Sequence, residues 1–173
     1  SSGADFPEGA KLWESGLGDK IDGAYWVGLS SGGPNLLKDI TEKASDPGIK
    51  FRYTNADPLV LGEAIMHAVK QPLASFFSES VWKRLGAEQS AYFLADKDGR
   101  PCTYGGFNAT TRDWGRLGLL VANKGTYNGQ KIIAPELIDM ALSPSPANSK
   151  YGYFIWLNDN GHVFAFDGFG GHN

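Results

Sequence analysis

Cysteine occurs once in the 173 residues, at Cys102. No disulfide can close within the chain, and thiol content assigns it to no redox compartment. Histidine is nearly as scarce: His67, His162 and His172 stand at no spacing that would let them share a metal with one another or with Cys102. Zinc is not expected, and nothing calls for a cofactor. Long apolar runs are absent too. None approaches the ~20 residues of a membrane-spanning helix, and the first residues lack the charged and apolar regions of a secretory leader. Positive charge is in short supply: 16 Lys and Arg against 19 Asp and Glu leave a net charge of −3. With no basic stretch to neutralise phosphates, nucleic acid is not an expected partner. No internal repeat, low-complexity tract or linker divides the chain.

What is present describes a folded globular chain: 42% hydrophobic, 13% aromatic and 20% charged residues, at a length that suits one domain. The organising stretch runs from Gly48 to Ile65. There Tyr53-Thr54-Asn55 interrupts an apolar pattern just before a helix. Residues two apart on an extended segment point to the same side, so Tyr53 and Asn55 could face one pocket. The plainer reading is a partly buried tyrosine followed by a helix-capping asparagine.

Taken in order, residues 1–33 show no sustained period and read as an irregular wrapping segment anchored by Trp13, Tyr25 and Trp26. A short helix is expected from Pro34 to Ile40, on the spacing of Leu36, Leu37 and Ile40, before the stop at Asp46-Pro47-Gly48. After Asn55, Leu59, Leu61, Ile65, Met66 and Val69 mark a helical face through Lys70, and Pro72 opens a second helix ending at Gly86. Leu73, Phe76, Phe77, Val81 and Leu85 would face inward. Ala91–Ala95 reads as a strand leaving into the Asp96–Gly99 turn. Thr110 and Thr111 followed by Asp113 cap a helix with Trp114, Leu117, Leu120 and Val121 as its buried stripe. Lys124-Gly125 ends that helix, Asn128-Gly129 marks a tight turn, and Pro135–Leu142 forms another helix. Finally Tyr151–Leu157 and Val163–Phe166 flank Asn158–Gly161 as a hairpin.

In this order the motifs resemble the penicillin-binding-protein-like serine hydrolases, which include class C β-lactamases, related esterases and 6-aminohexanoate-dimer hydrolases. The anchors are Ser1-Ser2-Gly3, Phe51-Arg52-Tyr53-Thr54-Asn55, Val81–Gly86, Gly105–Asp113, Tyr127–Gln130 and Gly168-Phe169-Gly170-Gly171. The resemblance implies an α+β fold, of which these residues would be the mainly helical middle portion of a β-lactamase/transpeptidase-like domain, with a short antiparallel hairpin at the C-terminal end. Residues 1–173 would then be a single partial domain, lacking the N-terminal Ser-x-x-Lys segment and the C-terminal strands and helix.

Members of the family attack an ester, amide or β-lactam with the serine of that motif. By resemblance, Tyr53 would carry the proton to the leaving group and Asn55 would hydrogen-bond the substrate or the lysine. Phe169, Gly170 and Gly171 would stand for the third motif on a pocket-lining strand, and the N–H of His172 would join the oxyanion hole. Against this, Gly168–Gly171 also reads as a loose tail, and His172 as an exposed terminal residue. Phe169-Gly170-Gly171 puts no charge where lactamases carry a lysine, which favours an ester or amide over a β-lactam. Asp5 is a further candidate for a substrate amine, and Trp13 for an acyl pocket.

The one Ser-x-x-Lys match, Ser80-Val81-Trp82-Lys83, follows Tyr53 instead of preceding it. With 13 Ser and 11 Lys, roughly one such match arises by chance, so Ser80 is read as a decoy. The chain by itself is therefore expected to be inactive, the parent being the enzyme. The alternative is a non-enzymatic remnant that binds a small acyl compound or a partner chain; a complementing chain or a dimer would suit either reading. The family implies a bacterial periplasmic or cytoplasmic setting.

Overall fold

The computed structural model describes residues 2, 14, 20, 22–26, 32, 34–38, 42–158 and 163–168. Among them, Asp22–Trp26 forms a π-type turn, followed by helix α1, Pro34–Leu37, and the long helix α2, Ala56–Val69. Next come α3, Leu73–Phe77, a second π-type turn, Ser78–Trp82, and strands β1, Tyr92–Phe93, and β2, Phe107–Asn108. Helix α4, Thr111–Ala122, strands β3, Thr126–Tyr127, and β4, Gln130–Lys131, and helix α5, Pro135–Ala141, follow. The hairpin β5, Trp156–Asn158, and β6, Val163–Ala165, completes the order. Each strand pairs with one neighbour in an antiparallel two-stranded sheet. The chain divides into two compact units, one of Ser1–Phe77 with Ala91–Asn108, the other of Ser78–Ser90 with Ala109–Asn173.

In the first unit the core gathers Ala24, Tyr25, Ala56, Leu59 and Cys102, with Leu37, Leu94 and Tyr104 packed against it. Tyr25 is thus the anchor expected of the N-terminal aromatics; Trp13 lies outside the described residues. Helix α2 ends where Lys70 takes a left-handed conformation (φ 54°) and its N–H reaches the Met66 carbonyl. Its buried positions are Ala56, Leu59 and Gly62, an i, i+3 line. Leu61, expected on the inner face, is 45% exposed, because it lies off that line. β1 and β2 pair Phe93 with Phe107, and Phe77 meets both rings edge-on at centroid distances of 6.0 and 5.6 Å. The Asp96–Gly99 turn closes around a buried carboxylate, which accepts the N–H groups of Asp98, Arg100 and, from 64 residues away, Gly32 at 2.6 Å.

The second unit is organised by Asp113, whose side chain is 0% exposed. Thr110 caps α4 as expected, its hydroxyl oxygen accepting the Asp113 N–H at 3.2 Å. The carboxylate answers by accepting the Thr110 hydroxyl, the Glu88 and Gln89 N–H groups and an Arg116 guanidinium N–H at 2.7 Å. Arg116 also pairs with Glu88. Burial pulls the Asp113 carboxyl upward, but the bonds from Glu88, Thr110, Gln89 and Arg116 together outweigh it and hold the group below its ordinary value. Trp114 departs from the expected stripe: at 39% exposure it looks outward, while Asp113 and Leu120 are the buried positions of α4.

The turns fall where the residues demand them. Asn128 and Gly129 both have positive φ (47° and 76°) between β3 and β4, the pattern that a two-residue hairpin requires. Gly125 follows α4 with φ 81°, and a side chain there would place Cβ 2.3 Å from the Ile133 carbonyl oxygen. The expected strand Tyr151–Leu157 is shorter. The Gly152 N–H bonds the Ile155 carbonyl, the Tyr153 N–H bonds the Ala141 carbonyl, and Phe154 takes φ 59°. The segment therefore loops back onto the end of α5 before Trp156, Leu157 and Asn158 pair with Ala165, Phe164 and Val163. Asp159 to His162 lie outside the described residues.

Two outcomes test this description. Because the folded Asp113 group titrates below its unfolded value, it contributes stability at pH above the ordinary carboxylate range, lost as pH falls through the folded value. Asp113→Asn is expected to lower stability at neutral pH and to flatten the acid-dependent loss, read by urea unfolding across a pH series. Gly125→Ala is expected to cost at least about 1 kcal/mol in the same assay.

Candidate active site

The step that sequence reasoning singled out lies at the entrance to α2. Burial alternates through it: Tyr53 is 48% exposed, Thr54 is buried and Asn55 is partly exposed. Tyr53 and Asn55 thus both reach the surface, two residues apart, with Thr54 turned inward between them. Asn55 occupies the N-cap position with helical backbone angles (φ −73°, ψ −16°), and its side chain makes no capping bond. The capping role falls instead to Thr54, whose hydroxyl oxygen accepts the Ala56 N–H at 3.2 Å. The plain reading of Asn55 as a capping residue is therefore not what the structure holds, and its amide is not committed to the helix.

What makes this step a fixed platform is the anchoring of the first turns of α2. The Thr103 hydroxyl donates to the Pro58 carbonyl at 2.7 Å. Gly62, one turn along, permits that approach, since a Cβ there would meet Thr103 Cγ2 at 2.5 Å. Arg100 forms an ion pair with Glu63 at 2.6 Å. Asp57, in the first turn, accepts the Ser2 N–H at 3.1 Å on one carboxylate oxygen and the Ser2 hydroxyl on the other. A carboxylate at this position also answers the positive end of the helix dipole, worth about 0.3–1 kcal/mol. No sequence signal linked Ser2 to Asp57. An acid in a first helical turn is legible, but its partner 55 residues earlier is not.

Among the other candidates, Phe169, Gly170, Gly171 and His172 lie outside the described residues, as do Asp5 and Trp13. Ser80 is partly buried within the Ser78–Trp82 turn, and Lys83 is exposed. His67 lies in the last turn of α2 and is exposed. Cys102 is buried in the core, and burial raises its thiol pKa despite partly offsetting hydrogen bonds from Tyr104 and Gly105. It behaves as packing, not as a nucleophile. Among the described residues no helix is long and apolar enough to cross a membrane.

No family model matches the chain. It is distantly similar to the 6-aminohexanoate-dimer hydrolase of Paenarthrobacter ureafaciens, with 23% identity over 145 residues, covering 83% of this chain and 35% of that protein. Among solved structures, a Bacillus anthracis protein provisionally named a 6-aminohexanoate-dimer hydrolase superposes with a TM-score of 0.72 at 23% identity. That match covers 93% of this chain and 46% of the other. A Bacteroides dorei protein provisionally named a β-lactamase gives 0.62 at 20% identity, covering 72% of this chain and 44% of that one. The chain shares part of the β-lactamase-like fold, and it spans less than half the length of each of these relatives.

The division of labour at the α2 entrance predicts a contrast. Thr54→Ala is expected to cost about 1 kcal/mol of stability, whereas Asn55→Ala is expected to stay within about 0.5 kcal/mol of the parent. Thermal unfolding of the two variants side by side checks it.

Proposed function

We propose that these residues are the mainly helical middle portion of a serine hydrolase that opens an amide or ester through an acyl-serine intermediate. The observation that carries this reading is the Tyr53-Thr54-Asn55 step. Two polar side chains reach the surface together just before the first turn of a helix held by long-range bonds, in a chain similar to a hydrolase. Rigid presentation is what proton transfer needs, because a donor misplaced by an ångström forfeits most of its effect.

In the proposed reaction a serine hydroxyl, supplied by residues outside this chain, attacks the carbonyl carbon of the substrate. As the new C–O bond forms, the hydroxyl proton passes by way of Tyr53 to the departing nitrogen or oxygen, and the old bond to carbon breaks. Water then cleaves the acyl-serine by the reverse path. Asn55 holds the substrate amide or the activating lysine. The backbone at Phe169, Gly170 and Gly171 lines the acyl group, and the N–H of His172 stabilises the oxyanion. An amide is the favoured substrate class: the 6-aminohexanoate dimer named for the Paenarthrobacter protein is joined by one, and Phe169-Gly170-Gly171 offers no cation to a lactam carboxylate. The 173 residues alone are inactive, since binding and positioning without a nucleophile leave only residual catalysis.

Intact mass after incubation with a fluorophosphonate probe tests this. The natural translation product containing these residues is expected to take one adduct and the isolated 173-residue chain none. Tyr53→Phe is expected to slow labelling of the longer product by about 10²–10⁴-fold. An adduct on the short chain mapped to Ser80, or no adduct on the longer product, would overturn the proposal.

A further inference from the structure

The turn between β3 and β4 holds the one asparagine–glycine step among the described residues, Asn128-Gly129. Both residues are exposed. A Cβ at Gly129 would meet nothing within 4 Å, so water reaches the peptide bond between them. Among the described residues neither the Asn128 side-chain amide nor the Gly129 N–H has a hydrogen-bond partner. Other asparagines are engaged: the Asn108 amide donates to the Gly106 carbonyl at 2.8 Å, and the Asn148 side-chain oxygen accepts the Lys150 N–H at 2.9 Å. The hairpin at the turn pairs only Thr126 with Lys131 and Tyr127 with Gln130, too few pairs to hold its tip closed at all times. Its base, by contrast, is tied. The Arg84 guanidinium donates to the Lys131 carbonyl at 2.6 Å, and the Ile132 and Ile133 N–H groups reach the Gly125 carbonyl at 2.9 and 3.0 Å. The tip can therefore open while the rest of the unit stays folded.

We propose that Asn128 is a site of spontaneous deamidation in the folded protein. When the tip opens, the Gly129 nitrogen attacks the side-chain carbonyl carbon of Asn128. A new C–N bond closes a succinimide ring, the amide C–N bond breaks, and the proton lost by Gly129 leaves, by way of water, on the departing ammonia. The missing Cβ of Gly129 leaves that approach unhindered. Water then opens the ring. Cleavage at the side-chain carbonyl gives aspartate with the main chain unaltered, whereas cleavage at the main-chain carbonyl gives isoaspartate, with the chain running through the former side chain. Either product adds one negative charge to the net −3. Aspartate suits a two-residue turn as asparagine does, so that form keeps the hairpin. Isoaspartate lengthens the main chain by one carbon, and the Tyr127–Gln130 pair next to the turn no longer closes in register.

The test is incubation of the natural translation product at mildly alkaline pH, with peptide mapping in acid and mass spectrometry at intervals. The peptide holding Asn128 is expected to gain the mass difference between a hydroxyl and an amino group and to accept methylation by an isoaspartate methyltransferase. Its conversion is expected to run about tenfold or more faster than that of the peptides holding Asn108 and Asn148. Asn128→Gln, whose longer side chain would have to close a larger ring, is expected to abolish the change at this site.

A parallel incubation in urea gives the behaviour without the fold. Conversion at Asn128 in urea with none under native conditions would overturn the proposal, because the closed turn would then shield the amide. A native rate no higher than at Asn108 and Asn148 would overturn it as well. Mass reports the outcome whether or not the product labels with a fluorophosphonate, so this inference stands apart from the hydrolase reading.

Discussion

The hydroxyl of Thr103 on the Pro58 carbonyl is the contact from which the arrangement around α2 follows. It depends on the absence of a side chain at Gly62, and it fixes a helix end whose own cap is a single threonine oxygen. Asp57 adds a two-point bond to the same end, and Glu63 adds an ion pair at the middle of the helix. A helix terminus is ordinarily where a chain frays, since its first N–H groups lack internal partners. Here it is tied by Thr54, Thr103 and Ser2, and it follows directly on Tyr53 and Asn55.

Buried carboxylates play the corresponding role elsewhere. The sheets are two-stranded and short, so much of the backbone cannot be satisfied by ladders and needs other acceptors. Asp96 takes three N–H groups in the first unit. Asp113 takes two, with a hydroxyl and a guanidinium, in the second. Each carboxylate is affordable in the interior because donors surround it. Each also draws loops together that share no regular structure, which is how limited secondary structure yields defined cores.

Much of the fold was legible beforehand, and the legible parts share a cause. The Thr110 cap, the Lys124-Gly125 stop, the Asn128-Gly129 turn and the Pro135 helix start all depend on residues within a few positions of one another, where chemistry and spacing can be read together. The errors at Leu61 and Trp114 have a different cause. Both sit on helices of the right extent, but the face a helix buries is chosen by what packs against it. Gly62, which has no side chain, and Asp113, which is charged, turned out to lie on the inner faces. The candidate site shows the same division: Tyr53 and Asn55 could be picked out by type and spacing, whereas the capping role of Thr54 and the tie of Asp57 to Ser2 could not.

By itself the sequence determined the local elements, the absence of an internal disulfide and the choice of Tyr53 and Asn55 as the polar step before a helix. These follow from covalent neighbours and from periods of a few residues. Only the tertiary structure decided which polar groups are paired, because Ser2 with Asp57, Gly32 with Asp96 and Glu88 with Asp113 are separated by 55, 64 and 25 residues. No periodicity connects positions so far apart. Their pairing is set by how the units close, and by the cost of leaving a buried donor or acceptor without a partner.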